Sequence, residues 1–291
     1  MTAVITASYA DDFERCQLLC ESLDKHLKGD WTHYLLVEEC DVETFSKLGG
    51  KNRVIVSELD LFPWWLRSFP DPVSSQHARV WLSPFSLPLR GWHAQQIRRL
   101  AIAEKLDEDI MLSIDSDVVL LQDFDVNSLL VGEDIRFYCN PNGINESMQE
   151  HMQWSKNAGS LLGIADADMC YDDYINTFIA WRTQTVKNLL CHIEKVHGHN
   201  WVKCLIRNRE MSECMIYGRF AKEIEKGVNH NDNRQALCKV MWDESNGDAS
   251  SEGLKNFLSE LSSEHVAIGI QSFVHTDIEE LRKMTLDYKP A

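Results

Sequence analysis

Hydrophobic positions along this chain follow two periods. Positions 4–7, Val-Ile-Thr-Ala, read as a short strand of the buried type. From Asp11 onward Phe13, Cys16, Cys20, Leu23 and Leu27 recur at steps of three and four, which predicts a helix. A second strand is expected at 34–37, a helix at 41–48 ending at Gly49-Gly50, and a third strand at 53–56. Strands alternating with helices imply βαβ units, hence an α/β fold with a mostly parallel, Rossmann-related central sheet flanked by helices. Ligands of such sheets sit beyond the strand C-termini, so the loop 8–12 belongs to the edge of interest.

The stretch 61–88 breaks the pattern. It holds five of the chain's seven prolines, with Phe62, Trp64, Trp65 and Phe69 close together and Trp81 and Phe85 further on. A linker would be polar, so an ordered loop packed on the body or over a site is expected. Residues 91–106 then read as a helix with Ile97, Leu100 and Ala101 on its apolar face and Gln95, Arg98 and Arg99 on the other. Beyond the apolar run 110–114, strands are predicted at 135–138, 160–164, 237–241 and 266–270. A long helix is predicted at 171–196, a shorter one at 211–220, a closing one from Asp277, and a polar exposed loop at 243–253.

The sharpest chemistry lies at 109–121, DIMLSIDSDVVLL. Asp115 and Asp117 follow an apolar strand, and residues two apart on a strand share a side. Two hard oxygen ligands side by side suit Mg2+ or Mn2+ gripping phosphate oxygens. Three other D-x-D pairs, Asp107/Asp109, Asp123/Asp125 and Asp166/Asp168, sit in polar turns, where capping and solvation explain them. The same explanation, carboxylates capping backbone amides, is the alternative for Asp115 and Asp117.

The remaining candidates each have a plain structural alternative. Gln95, Gln96, Arg98 and Arg99 form a solvated helix face, or offer guanidinium forks to phosphate. Trp92 reads as core or lid rather than a stacking platform. Ser212 and Glu213 look like a helix cap and a first-turn acid, or else Glu213 meets an acceptor hydroxyl. Asn157, Ala158 and Gly159 precede the strand expected at 160–164 and are candidates for the acceptor side.

The net charge of −16 excludes the basic face that nucleic acid requires, and means an anionic ligand must be neutralised locally. Nine cysteines without a C-x-x-C pair point to buried reduced thiols rather than disulfides or zinc. The N-terminus lacks the basic start of a signal peptide and no segment reaches the ~18 apolar residues of a membrane span, so a cytoplasmic protein is expected.

The ordered set VITASYADD, GWHAQQIRRLAIAEKL, LSIDSDVVLL, SECMIYGRF and GIQSF resembles a DUF-type family of glycosyltransferase-like proteins, mainly bacterial, assigned the GT-A fold of nucleotide-sugar-dependent transferases. The likeness spans nearly the whole chain. Two departures are visible: Arg99 stands where that family's Q-Q-x-x-K pattern has lysine, and Cys214 where an aromatic is common after the Ser-Glu pair.

The resemblance implies a single GT-A-like domain over 1–291, with a nucleotide-binding half (1–125) and a helical acceptor-side half (126–291). It implies a metal-dependent transfer of a sugar from a nucleotide-sugar donor to the hydroxyl of a glycan, lipid-linked or small-molecule acceptor. Asp115 and Asp117 would hold Mn2+ or Mg2+, with His275 as a further ligand. Ser8, Tyr9 and Asp11 would lie near the nucleoside, Gln95, Gln96, Arg99 and Ser116 near the donor, and Glu213 and Asp117 would act in the reaction. Two alternatives stand. A nucleotidyltransferase is disfavoured because the loop 8–12 contains no glycine; a non-catalytic nucleotide-sugar-binding protein is disfavoured by intact Asp115, Asp117 and Glu213.

Overall fold

A computed structural model describes residues 1–73, 78–164, 169–242, 250–271, 274, 276–286 and 288. The core is a five-stranded sheet. In chain order its strands are β1 (Thr2–Ala7), β2 (Trp31–Val37) and β3 (Arg53–Ser57), then two strands from later in the chain, Ile110–Ile114 and Phe178–Arg182. The first helix, α1 (Phe13–His26), links β1 to β2 and buries Cys16, Leu19, Cys20 and Leu23. β1 pairs in parallel with β2 on one side and with Ile110–Ile114 on the other, Thr2 standing opposite both Trp31 and Ile110. Both β1 and Ile110–Ile114 are buried along their whole length, which is why their sequences are mainly apolar, with only the small polar residues Thr2, Thr6 and Ser113 among them.

The proline-rich stretch is not a loop. It forms a three-stranded antiparallel meander, β4 (Arg67–Pro70), β5 (Arg79–Ser83) and β6 (Ser86–Leu89). Pro70 and Pro88 fall in the two outer strands, where a missing N–H breaks no shared ladder, and the middle strand has none. Trp81, from the middle strand, is fully buried. Helix α2 (Gly91–Ala101) follows and leads into β7 (Ile110–Ile114).

After a turn at 115–117 the chain leaves the central sheet and enters a second one as β8 (Val118–Leu120). Next come β9 (Asp134–Tyr138) and α3 (Gln149–Leu161). The run expected to be a strand at 160–164 thus carries the end of α3 and the turn that closes it, with Leu161 and Leu162 buried and Gly163 at φ +69°. A short apolar run fits either state, and here the helix wins. The long helix expected at 171–196 splits into β10 (Phe178–Arg182) and α4 (Thr183–His197). Its first half pairs antiparallel with β7, Phe178 opposite Ile114, so sheet pairing overrides the helical spacing of Ile175, Phe178 and Ile179.

The chain continues through α5 (Trp201–Arg207), α6 (Glu213–Arg219) and β11 (His230–Asn233). β12 (Cys238–Met241) and, after α7 (Ser251–Ser259), β13 (Ala267–Ile270) complete the second sheet, β13 lying between β12 and β8. Helix α8 (Ile278–Leu286) closes the fold. The polar loop expected at 243–253 therefore ends early: Ser250 caps α7 by accepting from the Gly253 amide, and 243–249 lie outside the described residues. All nine cysteines are free; Cys40 and Cys191 are exposed, against the expectation of buried thiols. Among the described residues no helix is long and apolar enough to cross a membrane.

Candidate functional site

Four parallel strands end along one edge. The residues that follow them are Ser8 after β1, Glu38 after β2, Glu58 after β3 and Asp115 after β7. Helix α2 packs against this edge and braces it. Its Gln95 Nε2 donates to the Ala7 carbonyl at 3.2 Å. Arg98 and Arg99, about 100° apart around the helix, diverge into two separate groups of carboxylates. Both are buried, at 2% and 6% exposure, so the solvated face expected for this pair does not exist.

Arg98 donates to the carbonyls of Ser8 and Leu36 at 3.4 and 3.3 Å. Burial pushes its pKa down, opposed by the charges of Glu58, Glu38 and Asp41. Arg99 donates through Nη2 to Asp115 Oδ1 at 2.5 Å and through Nη1 to Glu213 Oε1. Burial works against its charge, yet Asp115 and Glu213 outweigh it and raise the pKa above the ordinary arginine value. Arg99 thus bridges β7 to α6.

Glu213 opens α6. Ser212 caps that helix by accepting from the Met215 amide at 3.4 Å, and Gln96 Oε1 accepts from the Glu213 amide at 2.9 Å. Burial raises the Glu213 pKa and Arg99 opposes it. Tyr217 and Gly218, one turn on, are structural. Tyr217 stacks on Trp181, accepts from the Arg182 amide and meets His230 Nε2 at 2.8 Å. A Cβ at Gly218 would lie 2.2 Å from the Tyr174 ring.

Asp115 and Asp117 come together in a way the strand periodicity did not anticipate. β7 stops at Ile114, and Asp115-Ser116-Asp117 form a turn in which the Val118 amide donates to the Asp115 carbonyl at 3.2 Å. The Asp115 amide is held by the Thr177 carbonyl, and the Asp117 carbonyl takes the Ile270 amide, so the turn is pinned between the two sheets. Asp117 Oδ1 is shielded from solvent and has no hydrogen-bond partner. Burial, then repulsion from Asp115 and Asp12, holds the Asp117 carboxyl well above the usual range. Asp12 is raised too, by burial and by Asp11, against the pull of Arg15 and a hydrogen bond from Ser116.

Asp12, Asp115 and Asp117 are therefore hard oxygen donors that repel one another, one with an unmatched buried oxygen. That chemistry fits a divalent cation such as Mg2+ or Mn2+. Among the described residues, the group whose ligand atoms already lie within 4.8 Å of one another is a different one, Glu38, Cys40 and Asp41. It fits a metal poorly. Glu38 is paired with Arg79 at 3.3 Å and Asp41 Oδ2 accepts from the Ala10 amide at 2.8 Å. Burial and Asp41 push the Cys40 thiol up to about 12, so it stays a thiol.

Ser8 is buried, and Ser116 is buried within the turn. Tyr9 is 39% exposed, with burial and then Asp12 and Asp11 raising its hydroxyl to about 12. Asp11 is exposed beside it. His275 lies outside the described residues, as do Asp166 and Asp168. Asn157, Ala158 and Gly159 lie within α3 rather than before a strand; Asn157 Nδ2 donates to the Glu210 carbonyl at 2.5 Å. Trp92 is not core: it is 45% exposed. Asp12, within the loop 8–12, and Glu38, Asp41 and Glu58 carry no motif that singles them out as ligands in the sequence. The rule that singled out Asp115, an acid directly after a parallel strand, would have found Glu38; Glu58 follows β3 only because that strand runs one residue further than expected, to Ser57.

Comparison of the whole structure places it among known folds. It aligns with an active-site mutant of LgtC over 99% of this chain and 97% of that one, at 11% identity and a TM-score of 0.50. The galactosyltransferase LgtC with donor and acceptor sugar analogues aligns over 99% and 97%, at 10% identity and a TM-score of 0.49. The likeness is one of fold: the mixed α/β architecture is that of the GT-A glycosyltransferases. No curated protein matches the sequence. Residues 2–291 match the model of a family of unknown function, DUF6492, and the chain belongs to that family.

Proposed function

We propose that the protein is a divalent-metal-dependent glycosyltransferase that moves a sugar from a nucleotide-sugar donor to an acceptor hydroxyl. The observation that carries this reading is the orphaned, buried Oδ1 of Asp117 beside Asp115 at the C-terminal edge of the parallel strands. A native fold that leaves a buried carboxylate oxygen unmatched among two further acids is holding ligand capacity in reserve. The GT-A fold supports the class of donor.

Asp115 and Asp117, with Asp12 beside them, would hold Mn2+ or Mg2+, which when bound supplies Lewis-acid stabilisation of the departing diphosphate. Arg99 adds a fixed positive charge at the same edge, always ionised and pre-oriented by two carboxylates. Glu213 is set by Gln96 at its amide and Arg99 at Oε1, and in this reading it orients the acceptor hydroxyl or takes its proton. Ser8, Tyr9 and Asp11 line the nucleoside side, with Gln95 tying helix α2 to the end of β1.

The test is a thermal-shift panel of nucleoside diphosphates and nucleotide sugars, each with and without Mn2+, on the native protein and on Asp117→Ala. The expected result is a metal-dependent shift with a nucleoside diphosphate that Asp117→Ala abolishes, and release of nucleoside diphosphate from a nucleotide sugar. An Asp117→Ala protein with full metal-dependent donor turnover overturns the proposal. Release of pyrophosphate from a nucleoside triphosphate incubated with a sugar 1-phosphate, without turnover of nucleotide sugars, would instead make it a nucleotidyltransferase.

A further inference from the structure

A row of aromatic rings flanks the segment that leads into Glu213. Trp92 projects from the first turn of α2, 45% exposed, and its ring lies 5.4 Å from that of Trp154 on α3. His151, on the same helix, stacks on Trp154, centroids 5.0 Å apart and planes at 30°. Two indoles and an imidazole are thus held together at the protein surface by two different helices.

Their placement ties them to the candidate site. Trp92, Gln96 and Arg99 fall on one stripe of α2, at the i, i+4, i+7 spacing of a single helix face. Trp92 therefore stands about 6 Å of helix rise from Gln96, the residue that accepts the Glu213 amide. Its neighbour His93 bonds the Arg209 carbonyl, and Asn157, one turn after Trp154, donates to the Glu210 carbonyl. Both helices that carry the rings thus also hold the 208–212 segment from which Glu213 emerges.

We infer that Trp92 and Trp154 form the acceptor subsite, a stacking platform for a pyranose ring whose hydroxyl is presented toward Glu213. This rests on the glycosyltransferase reading above. A pyranose carries its C–H bonds on a face and its hydroxyls around the rim. The C–H face packs on the electron-rich face of an indole, and the rim needs polar partners. Such partners stand on the same helix and beside it: Gln153, next to Trp154 in sequence and hydrogen-bonded to Asn157, and Asp173, 3.7 Å from His151 Nδ1. Two rings with so polar a surround make a poor seat for a flat protein partner, whose apolar patch would be broader. Beyond Asn157 a cleft of about 580 Å³ opens, bordered by Ser160, His197, His199, Arg207 and Arg209, with room for further sugar residues.

The experiment is a printed array of pyranose oligosaccharides probed with labelled native protein, Trp92→Ala, Trp92→Phe and Trp154→Ala. The native protein is expected to bind a subset of glycans, Trp92→Ala and Trp154→Ala to lose at least tenfold in apparent affinity, and Trp92→Phe to recover most of the loss because it keeps a ring. Trp92 is half in solvent, so its truncation tests binding rather than folding. The inference is overturned if the native protein binds no glycan, or if Trp92→Ala binds as tightly. It is also overturned if a nucleoside diphosphate displaces the glycans, which would mean that the rings hold the donor's base. The metal-dependent nucleotide shift, measured on the native protein without glycan, reports separately on the glycosyltransferase reading. A shift without glycan binding removes the platform alone, and glycan binding without a shift removes the transferase alone.

Discussion

Arg98 and Arg99 are adjacent residues with the same chemistry, and each enters a cluster of buried acids. Their surroundings differ in completeness. Around Arg98, Glu58 accepts from Trp81 Nε1 at 2.8 Å and Ser68 Oγ at 2.6 Å, Glu38 pairs with Arg79, and Asp41 takes the Ala10 amide. Around Arg99, Asp115 keeps 26% of its side chain in solvent and Asp117 Oδ1 meets nothing. Arg98 Nε and Arg79 Nε find no hydrogen-bond partner, yet each acid on that side is held, and a network whose acids are all held is a brace. An unsatisfied one at a strand edge is where a ligand completes the set. The difference marks the Arg99 side as the site and the Arg98 side as its scaffold.

The most forceful way to break this comparison is Arg98→Met. It leaves three mutually repelling acids near a vacated cation and two backbone carbonyls without their donor. Removing one partner from a buried charge network destabilises by about 3–5 kcal/mol. Denaturant unfolding at neutral pH should show a loss of that size, smaller as pH falls below about 7 and Glu38 protonates. A loss under about 1 kcal/mol would mean that the Arg98 cluster is no brace.

Glu38 sharpens the same point with a smaller effect. Burial first, then Glu58 and Asp41, against Arg98 and Arg79, raise its carboxyl to about 7. The folded state then holds this proton more tightly than the unfolded chain does. Its contribution is fully present below the ordinary glutamate range, declines as pH rises toward about 7, and is flat above. The decline is about 3 kcal/mol on the scale of 1.36 kcal/mol per pKa unit. Glu38→Gln should flatten that slope between roughly pH 4.5 and 7 without abolishing the fold. Unfolding midpoints measured across the window check it, and an unchanged slope assigns the titration to another group.

Why the sequence revealed one cluster and not the other has a physical cause. Asp115 and Asp117 are close in sequence, and an apolar strand beside an acid is a local signal. Alternating periods likewise sufficed for β1, α1 and β2, whose burial follows directly from their own residues. The Arg98 cluster draws on positions 38, 41, 58 and 79, which only the assembled sheet brings together, so two arginines on a polar helix face read as solvated. The meander β4–β6 was hidden because prolines suppress strand signals even where an edge tolerates them. β10 was hidden because Phe178 and Ile179 also fit a helical stripe, and only pairing with β7 decides. Glu213 could be singled out, but its tie to Asp115 through Arg99 spans 114 residues between Arg99 and Glu213 and left no trace in spacing.

The smallest expected change in stability has the opposite sign. In Asp117→Asn the side chain keeps its shape and loses the charge that burial, Asp115 and Asp12 all penalise. The new amide group carries donors into a neighbourhood of carboxylate oxygens, so it replaces repulsion with hydrogen bonding. At neutral pH the variant should be more stable than the native protein by about 1 kcal/mol, the common size of a gain when a functional residue is replaced by one that only suits the fold. Mn2+ should stabilise the native protein and leave the variant unmoved, since an amide cannot supply the anionic ligand. Thermal unfolding of both proteins, with the metal and with none added, reads the two effects together. If Asp117→Asn instead costs stability as Arg98→Met does, then Asp117 belongs to a second brace, and the open side of the comparison closes.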